Sequence, residues 1–210
     1  MRIHSIVHGS RANGPGVRTI VWTQGCSLGC AGCWNGHMWD RAGGHPADPD
    51  ELAEQIIREA PANTEGITLS GGEPMAQGVS VYAFMCSIRA RRPDWSIGMY
   101  SGYTGFELAY GQFDLYDDAH PQPMGESIKT ALWIHQIRRH LDWAVLGRFD
   151  RTRMDVPADR PDARLVSSAN QHLSLLSGRY TYDDFRRGLL VEISLGATGT
   201  NTVTGFPVRN

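Results

Sequence analysis

Lysine is almost missing from this chain: Lys129 is the only one, and the other 19 of its 20 basic side chains are arginine. Genomic base composition accounts for the imbalance most simply. It still excludes chemistry, because there is no GxxxxGK phosphate loop and a Schiff-base mechanism would rest on one residue. A large charge excess is missing too. A formal net charge of -2 and a pI near 6.4 give no global electrostatic case for nucleic acid or an anionic membrane. No apolar run approaches a membrane span, and the opening "MRIHSIVHGSR" lacks the apolar core of a signal peptide. These absences set the expectation of a soluble, cytoplasmic protein with no nucleic-acid or membrane partner. Cysteine is also scarce, with four residues in 210. In a reducing compartment such thiols, if clustered, point to metal or redox work rather than disulfides.

What is present resembles an ordinary globular enzyme, 41% hydrophobic and 20% charged with a mean hydropathy of -0.33. With 210 residues, no internal repeat and no low-complexity segment, a single domain over 1–210 is expected. "RTIVWTQG" (Arg18 to Gly25) reads as a strand and "DPDELAEQIIREA" as a helix that Asp48 caps and Pro49 opens. "GITLSGGEP" is a short strand broken by a double glycine and stopped by Pro74. A helix near Val79 to Arg92, a strand "SIGMYSG" and a short helix after Thr104 follow. Gly111 to Gly125 looks like a loop, Ser127 to Leu141 a helix and "DWAVLG" a strand. The tail from Leu189 to Pro207 suggests a closing β-hairpin that turns at "ATGTN". Strands alternating with helices imply a parallel sheet with helices outside. Too few repeats exist to close an eight-stranded barrel, so an α/β open or partial βα barrel of about six parallel strands is expected. In such sheets the working groups lie at the carboxyl ends of strands, where "GCSLGCAGC" and "SGGEP" both fall.

Three of the four cysteines stand within eight residues, as Cys26, Cys30 and Cys33, with the spacing C-x3-C-x2-C. Gly25, Gly29 and Gly32 lie between and beside them, where they relieve the strain of a tight wrap. Soft thiolates accept zinc, copper(I) or an iron–sulfur cluster. Closed zinc needs a fourth ligand, for which His37 or the pair His135 and His140 stand available. A closed four-cysteine cluster would need Cys86, which sits in a helical stretch and reads as an inert core thiol. Three cysteines on a four-iron cluster would instead leave one iron open for a substrate or cofactor.

The cysteine loop and the later Gly71-Gly72-Glu73-Pro74 turn together resemble the radical S-adenosylmethionine superfamily. The resemblance implies a 4Fe–4S cluster on Cys26, Cys30 and Cys33, with S-adenosylmethionine chelating the fourth iron through its amino and carboxylate groups. It also implies that the glycines let backbone polar groups approach the methionyl ammonium, with the Glu73 carboxylate near it. "GSRANGPGVRTIVWTQGCSLGCAGCWN" is similar to the opening of the short activating proteins of glycyl-radical enzymes, especially the anaerobic ribonucleotide reductase group. Trp34 and Asn35 fill that group's aromatic-Asn slot, and Ser101 in "YSGYT" is placed near the cofactor by the same likeness. "LGRFD", "SSANQ" and "TGFP" resemble later signatures of the group. Three positions depart from its pattern: Gly32 replaces the superfamily's frequent aromatic, Leu146 stands where the group has an Asp, and Ala169 interrupts a G-S-S-N-Q run. The resemblance would put that Asp in the cofactor pocket, and Asp142 or Asp150 is the replacement to look for.

The implied reaction is reductive cleavage of S-adenosylmethionine to a 5′-deoxyadenosyl radical. It would be driven by an external one-electron donor of the flavodoxin or ferredoxin type, and the hydrogen atom would come from a glycine of a partner glycyl-radical enzyme. Two other readings stand beside it. One is a stand-alone radical enzyme acting on a small molecule or peptide, as an epimerase or dehydrogenase. The other is a non-catalytic, metal-stabilised interaction module, which gives no reason for "SGGEP". Arg148, at an expected strand end, is the arginine singled out for function, while His37 and Trp39 either shield the cysteine loop or lie at the surface.

Overall fold

The computed structural model describes residues 1–116, 124–187, 191–195 and 201–205. Seven strands form one open sheet in the order β3-β1-β2-β4-β5-β6-β7. They are β1 (Arg2–Ser10), β2 (Arg18–Thr23), β3 (His45–Pro46), β4 (Gly66–Gly71), β5 (Ser96–Ser101), β6 (Trp143–Leu146) and β7 (His172–Leu175). Among the described residues only β2, β4, β5 and β6 run parallel. The expected six parallel strands are therefore four, with antiparallel neighbours at both sides. Connection length explains the difference. A parallel neighbour needs a crossover of a dozen residues or more, usually a helix. β1 and β2 are separated by residues 11–17 alone, and no α-helix lies between β6 and β7.

The helices pack on one face of the sheet. α1 (Pro49–Glu59) starts at Asp48, whose carboxylate accepts from the Asp50 and Glu51 N–H groups at 2.9 and 3.1 Å. α2 (Gly78–Arg91) follows β4, and α3 (Gly105–Ala109) follows β5 with a Thr104–Glu107 capping box. α4 (Glu126–Ala131) runs through a π-helical stretch, Leu132–Ile137, into Arg138–His140. Strand alternation sorts the side chains. Ile67, Leu69, Ile97, Met99, Ala144 and Leu146 join the helix-side core. Their neighbours Ser70, Tyr100 and Val145 point to the opposite face and line a pocket there.

Beneath that pocket the opposite face is closed by a buried arginine. Arg18, fully buried, donates to Thr68 Oγ1 at 2.7 Å, Ser96 Oγ at 2.8 Å and the Pro15 carbonyl at 3.0 Å. It also donates to the Ile67 carbonyl, and its guanidinium lies 5.4 Å from the Trp143 ring centroid.

The closing hairpin is present as β8 (Val191–Leu195) and β9 (Asn201–Gly205), a separate two-stranded antiparallel sheet. Glu192 Oε2 ties it to the end of β1, accepting from Ser10 Oγ and the Arg11 N–H, each at 2.7 Å. Most of the "ATGTN" turn, the end of "TGFP", and Pro121 and Pro123 lie outside the described residues. Among the described residues no helix is long and apolar enough to cross a membrane.

Candidate active site

The three clustered thiols follow directly from the end of β2. Cys26, Cys30 and Cys33 are half-buried and open onto one pocket. Gly25, Gly29 and Gly32 all have positive φ, between 59° and 97°, which lets the loop curl. Burial, then the nearby Glu73 and the neighbouring thiols, push Cys26 up to about 11. The Cys30 thiol also moves up, from burial first and then Cys33. Such crowding disfavours three free thiolates and favours a positively charged group bound among them. Among the described residues no three His, Cys, Asp or Glu side chains are arranged to hold a single metal ion. Three thiols opening onto one cavity offer the soft sulfur donors that an iron–sulfur cluster takes.

The double-glycine turn meets this loop through the backbone. The Gly72 N–H donates to the Thr23 carbonyl at 2.8 Å, and the Glu73 N–H donates to the Gly25 carbonyl at 2.9 Å. Gly71 has φ of 105°, and a Cβ on Gly72 would overlap the Gly25 carbonyl. Only glycine permits that approach. Pro74 then starts the single turn Pro74–Gln77 and is itself buried.

Glu73 is 1% exposed, and both of its carboxylate oxygens are occupied. Oε1 accepts from the Met75 N–H and from Ser101 Oγ, each at 2.9 Å, and Oε2 accepts from the Gly102 N–H at 2.7 Å. Burial outweighs these bonds and pushes the carboxyl up to about 7. Glu73 and Ser101 therefore link the ends of β4 and β5. Trp34, 39% exposed, stands at the mouth, and Asn35 Nδ2 donates to the Gly71 carbonyl at 3.2 Å. The structure thus brings together Cys26, Cys30, Cys33, Trp34, Asn35, Gly71, Gly72, Glu73 and Ser101 around one cavity.

Other candidates lie elsewhere. Cys86 is on α2, where its Sγ is 3.6 Å from His140 Nε2. His140 Nδ1 lies 2.9 Å from the Gln136 carbonyl, and His135 is exposed. His37 packs against His4, with ring centroids 5.1 Å apart. Arg148 pairs with Glu107 at 2.8 Å. Asp142 is at the start of β6, far from the strand's working end, bonded to Arg89 Nη2 and the Ile97 N–H at 2.7 and 2.8 Å. Asp150 caps a short turn by accepting from the Thr152 N–H at 2.9 Å. Neither carboxylate replaces the group's Asp. Leu146 itself is 7% exposed and belongs to the helix-side core, so its side chain points away from the pocket.

Trp22, Trp39, Tyr100, Phe149 and Gln171 also line the pocket. Trp22 and Tyr100 were readable as alternate strand residues on the face opposite the core. Phe149 and Gln171 come from irregular segments, where no period exists to show direction.

Residues 12–174 match the family described as a 4Fe-4S single cluster domain. The pyruvate formate-lyase-activating enzyme of Clostridium pasteurianum is 42% identical over 79 residues, 36% of this chain and 33% of that protein. The anaerobic ribonucleoside-triphosphate reductase-activating protein of Pasteurella multocida is 31% identical over 165 residues, 76% of this chain and 87% of that one. Its counterpart in Vibrio cholerae serotype O1 is 34% identical over 101 residues, 46% of this chain and 64% of that one. The match thus spans a third of the Clostridium protein and just under two thirds of the Vibrio protein. Among solved structures, QueE from Escherichia coli has a slight likeness, with a TM-score of 0.41 and 17% identity over 49% of this chain and 53% of that one. The chain belongs to the 4Fe-4S single-cluster domain family, in the radical S-adenosylmethionine activase group.

Proposed function

We propose that this protein reductively cleaves S-adenosylmethionine to install a glycyl radical on a partner enzyme of the anaerobic ribonucleotide reductase kind. One observation carries the reading: three thiols and a double-glycine turn share one pocket at the carboxyl ends of β2 and β4, joined by the Glu73 N–H to Gly25 carbonyl bond. The names of the relatives support the partner class. We take the open sheet as a partial barrel whose working rim is this end.

Cys26, Cys30 and Cys33 would hold a 4Fe–4S cluster through three irons and leave the fourth to S-adenosylmethionine, with Cys86 uninvolved. When bound, the pair supplies an electron from an external donor and a carbon radical able to abstract hydrogen. The chain's own residues bind, orient and exclude water. Gly71 and Gly72 let the turn close on the Thr23 and Gly25 backbone, which sets its own backbone in the pocket wall, where an amino-acid moiety can approach it. Glu73 lies beside that approach, and an ammonium brought near it would favour its ionised form. Ser101 fixes the carboxylate's direction. Trp22, Tyr100, Val145 and Phe149 give the cavity a largely apolar wall that keeps water from a reactive intermediate.

The test is anoxic reconstitution with iron and sulfide, then S-adenosylmethionine and a strong reductant, with 5′-deoxyadenosine quantified. Wild-type product that disappears in Cys30→Ala supports the radical chemistry. Adding a candidate partner should then produce a glycyl-radical signal in electron paramagnetic resonance. A loaded cluster that yields neither product nor signal with any glycyl-radical partner would end the proposal.

A further inference from the structure

Two stretches of this chain, of which the reading above uses only Phe149, meet beside the cysteine loop. "LGRFD" follows β6, "SSANQ" precedes β7, and side-chain amides join them. Asn170 Nδ2 donates to the Arg148 carbonyl at 2.7 Å, and Gln171 Nε2 donates to the Gly147 carbonyl at 3.0 Å. The Asp150 N–H donates to Ser168 Oγ at 3.1 Å. Gln171 Oε1 accepts from the Ser167 and Ser168 N–H groups at 2.7 and 3.2 Å, which stiffens the motif itself. The Asn170 amide oxygen is buried without a hydrogen-bond partner among the described residues, so its grip on Arg148 is what that side chain contributes.

The segment held in this way lies on the cysteine loop. A Cβ built on Gly32 would stand 3.8 Å from the Phe149 ring and 3.3 Å from the Arg151 side chain. The Phe149 and Trp34 ring centroids are 6.5 Å apart. Phe149 lines the pocket together with the three thiols. Arg148, by contrast, turns to Glu107 at the rim, where its charge is compensated.

We propose that Asn170 and Gln171 are positioning residues that hold Phe149 on the cysteine loop, where its ring shields the three thiols, and the cluster they would carry, from water. The inference rests on the cluster reading above. Water admitted to a cluster stabilises its reduced, more negative state and raises the reduction potential. A ring laid over the loop limits access of water and chelator to the irons.

The experiment compares wild type, Phe149→Leu, Asn170→Ala and, as a remote control on α1, Gln55→Ala. Each reconstituted protein is measured for reduction potential by a titration monitored by electron paramagnetic resonance, and for cluster loss to EDTA by visible absorbance. Phe149→Leu loses the ring, so it should lose its cluster several-fold faster and show a less negative potential. Asn170→Ala releases the segment that carries the ring, so it should move both readouts in the same direction as Phe149→Leu. Gln55→Ala should match wild type on both. Should Asn170→Ala fail to fold, Asn170→Ser, which shortens the donor, takes its place with the same expectation. Wild-type behaviour of both site variants on both readouts would overturn the inference while leaving the cluster reading intact. A wild-type protein that loads no iron–sulfur cluster would overturn both.

Discussion

Ser101 Oγ donates to Glu73 Oε1 at 2.9 Å, and through that bond the ends of β5 and β4 share a single buried carboxylate. The same carboxylate takes the Gly102 N–H and the Met75 N–H. One side chain thus fixes three pieces of backbone around the pocket.

Burial raises the Glu73 carboxyl from 4.5 to about 7, so the folded protein holds a proton that the unfolded chain has released between those values. The sign follows: stability from this group is fully present below about pH 4.5 and is lost as pH rises through about 7. The ceiling is about 3 kcal/mol. Urea unfolding of the metal-free protein should show this decline, and Glu73→Gln should flatten it. An equal slope in the variant would remove Glu73 as its source.

The ligand set is separable by iron and sulfide analysis. Alanine at Cys26, Cys30 or Cys33 should strip most of the iron. Cys86→Ala should retain it, because that thiol sits on α2 beside His140, in the helical layer. Loss of iron in Cys86→Ala would point to a four-cysteine site and require a different chain path.

Gly72→Ala should be severe for its size. The added methyl meets the Gly25 carbonyl, so one of the two backbones must move. We expect a loss on the order of 1–3 kcal/mol and poor cluster loading. Thermal unfolding measures the first effect and iron content the second. Wild-type values for both would mean that the loops tolerate separation.

Leu146→Asp restores the residue usual in the activating-protein group. In this fold it places a carboxylate in the helix-side core rather than in the pocket. The expected outcome is a destabilisation of roughly 3 kcal/mol or more with no gain in S-adenosylmethionine cleavage. A variant more active than wild type at unchanged stability would show that position 146 faces the cofactor.

The sequence by itself determined the local features of this protein. The thiol spacing, the double glycine before Pro74, the Asp48 cap of α1 and the period-2 strands β2, β4 and β5 are each written in neighbouring residues. Local chemistry dictates them, and they appear where the pattern puts them. What only the tertiary structure decided is direction and partnership. β1 mixes His4, Ser5 and His8 with its apolar residues and stays half-exposed along most of its length, and β7 has four residues, so neither carries a clear period. Their antiparallel pairing follows from how the chain returns, not from composition. Leu146 illustrates the same limit within a site: a strand residue's neighbour determines its own face only after the sheet's two sides are assigned. Glu73 and Ser101 are 28 residues apart. Asn170 and Arg148 are 22 apart. Such pairs exist because parallel crossovers and a returning strand bring separate loops to one rim, and no short-range rule encodes that meeting.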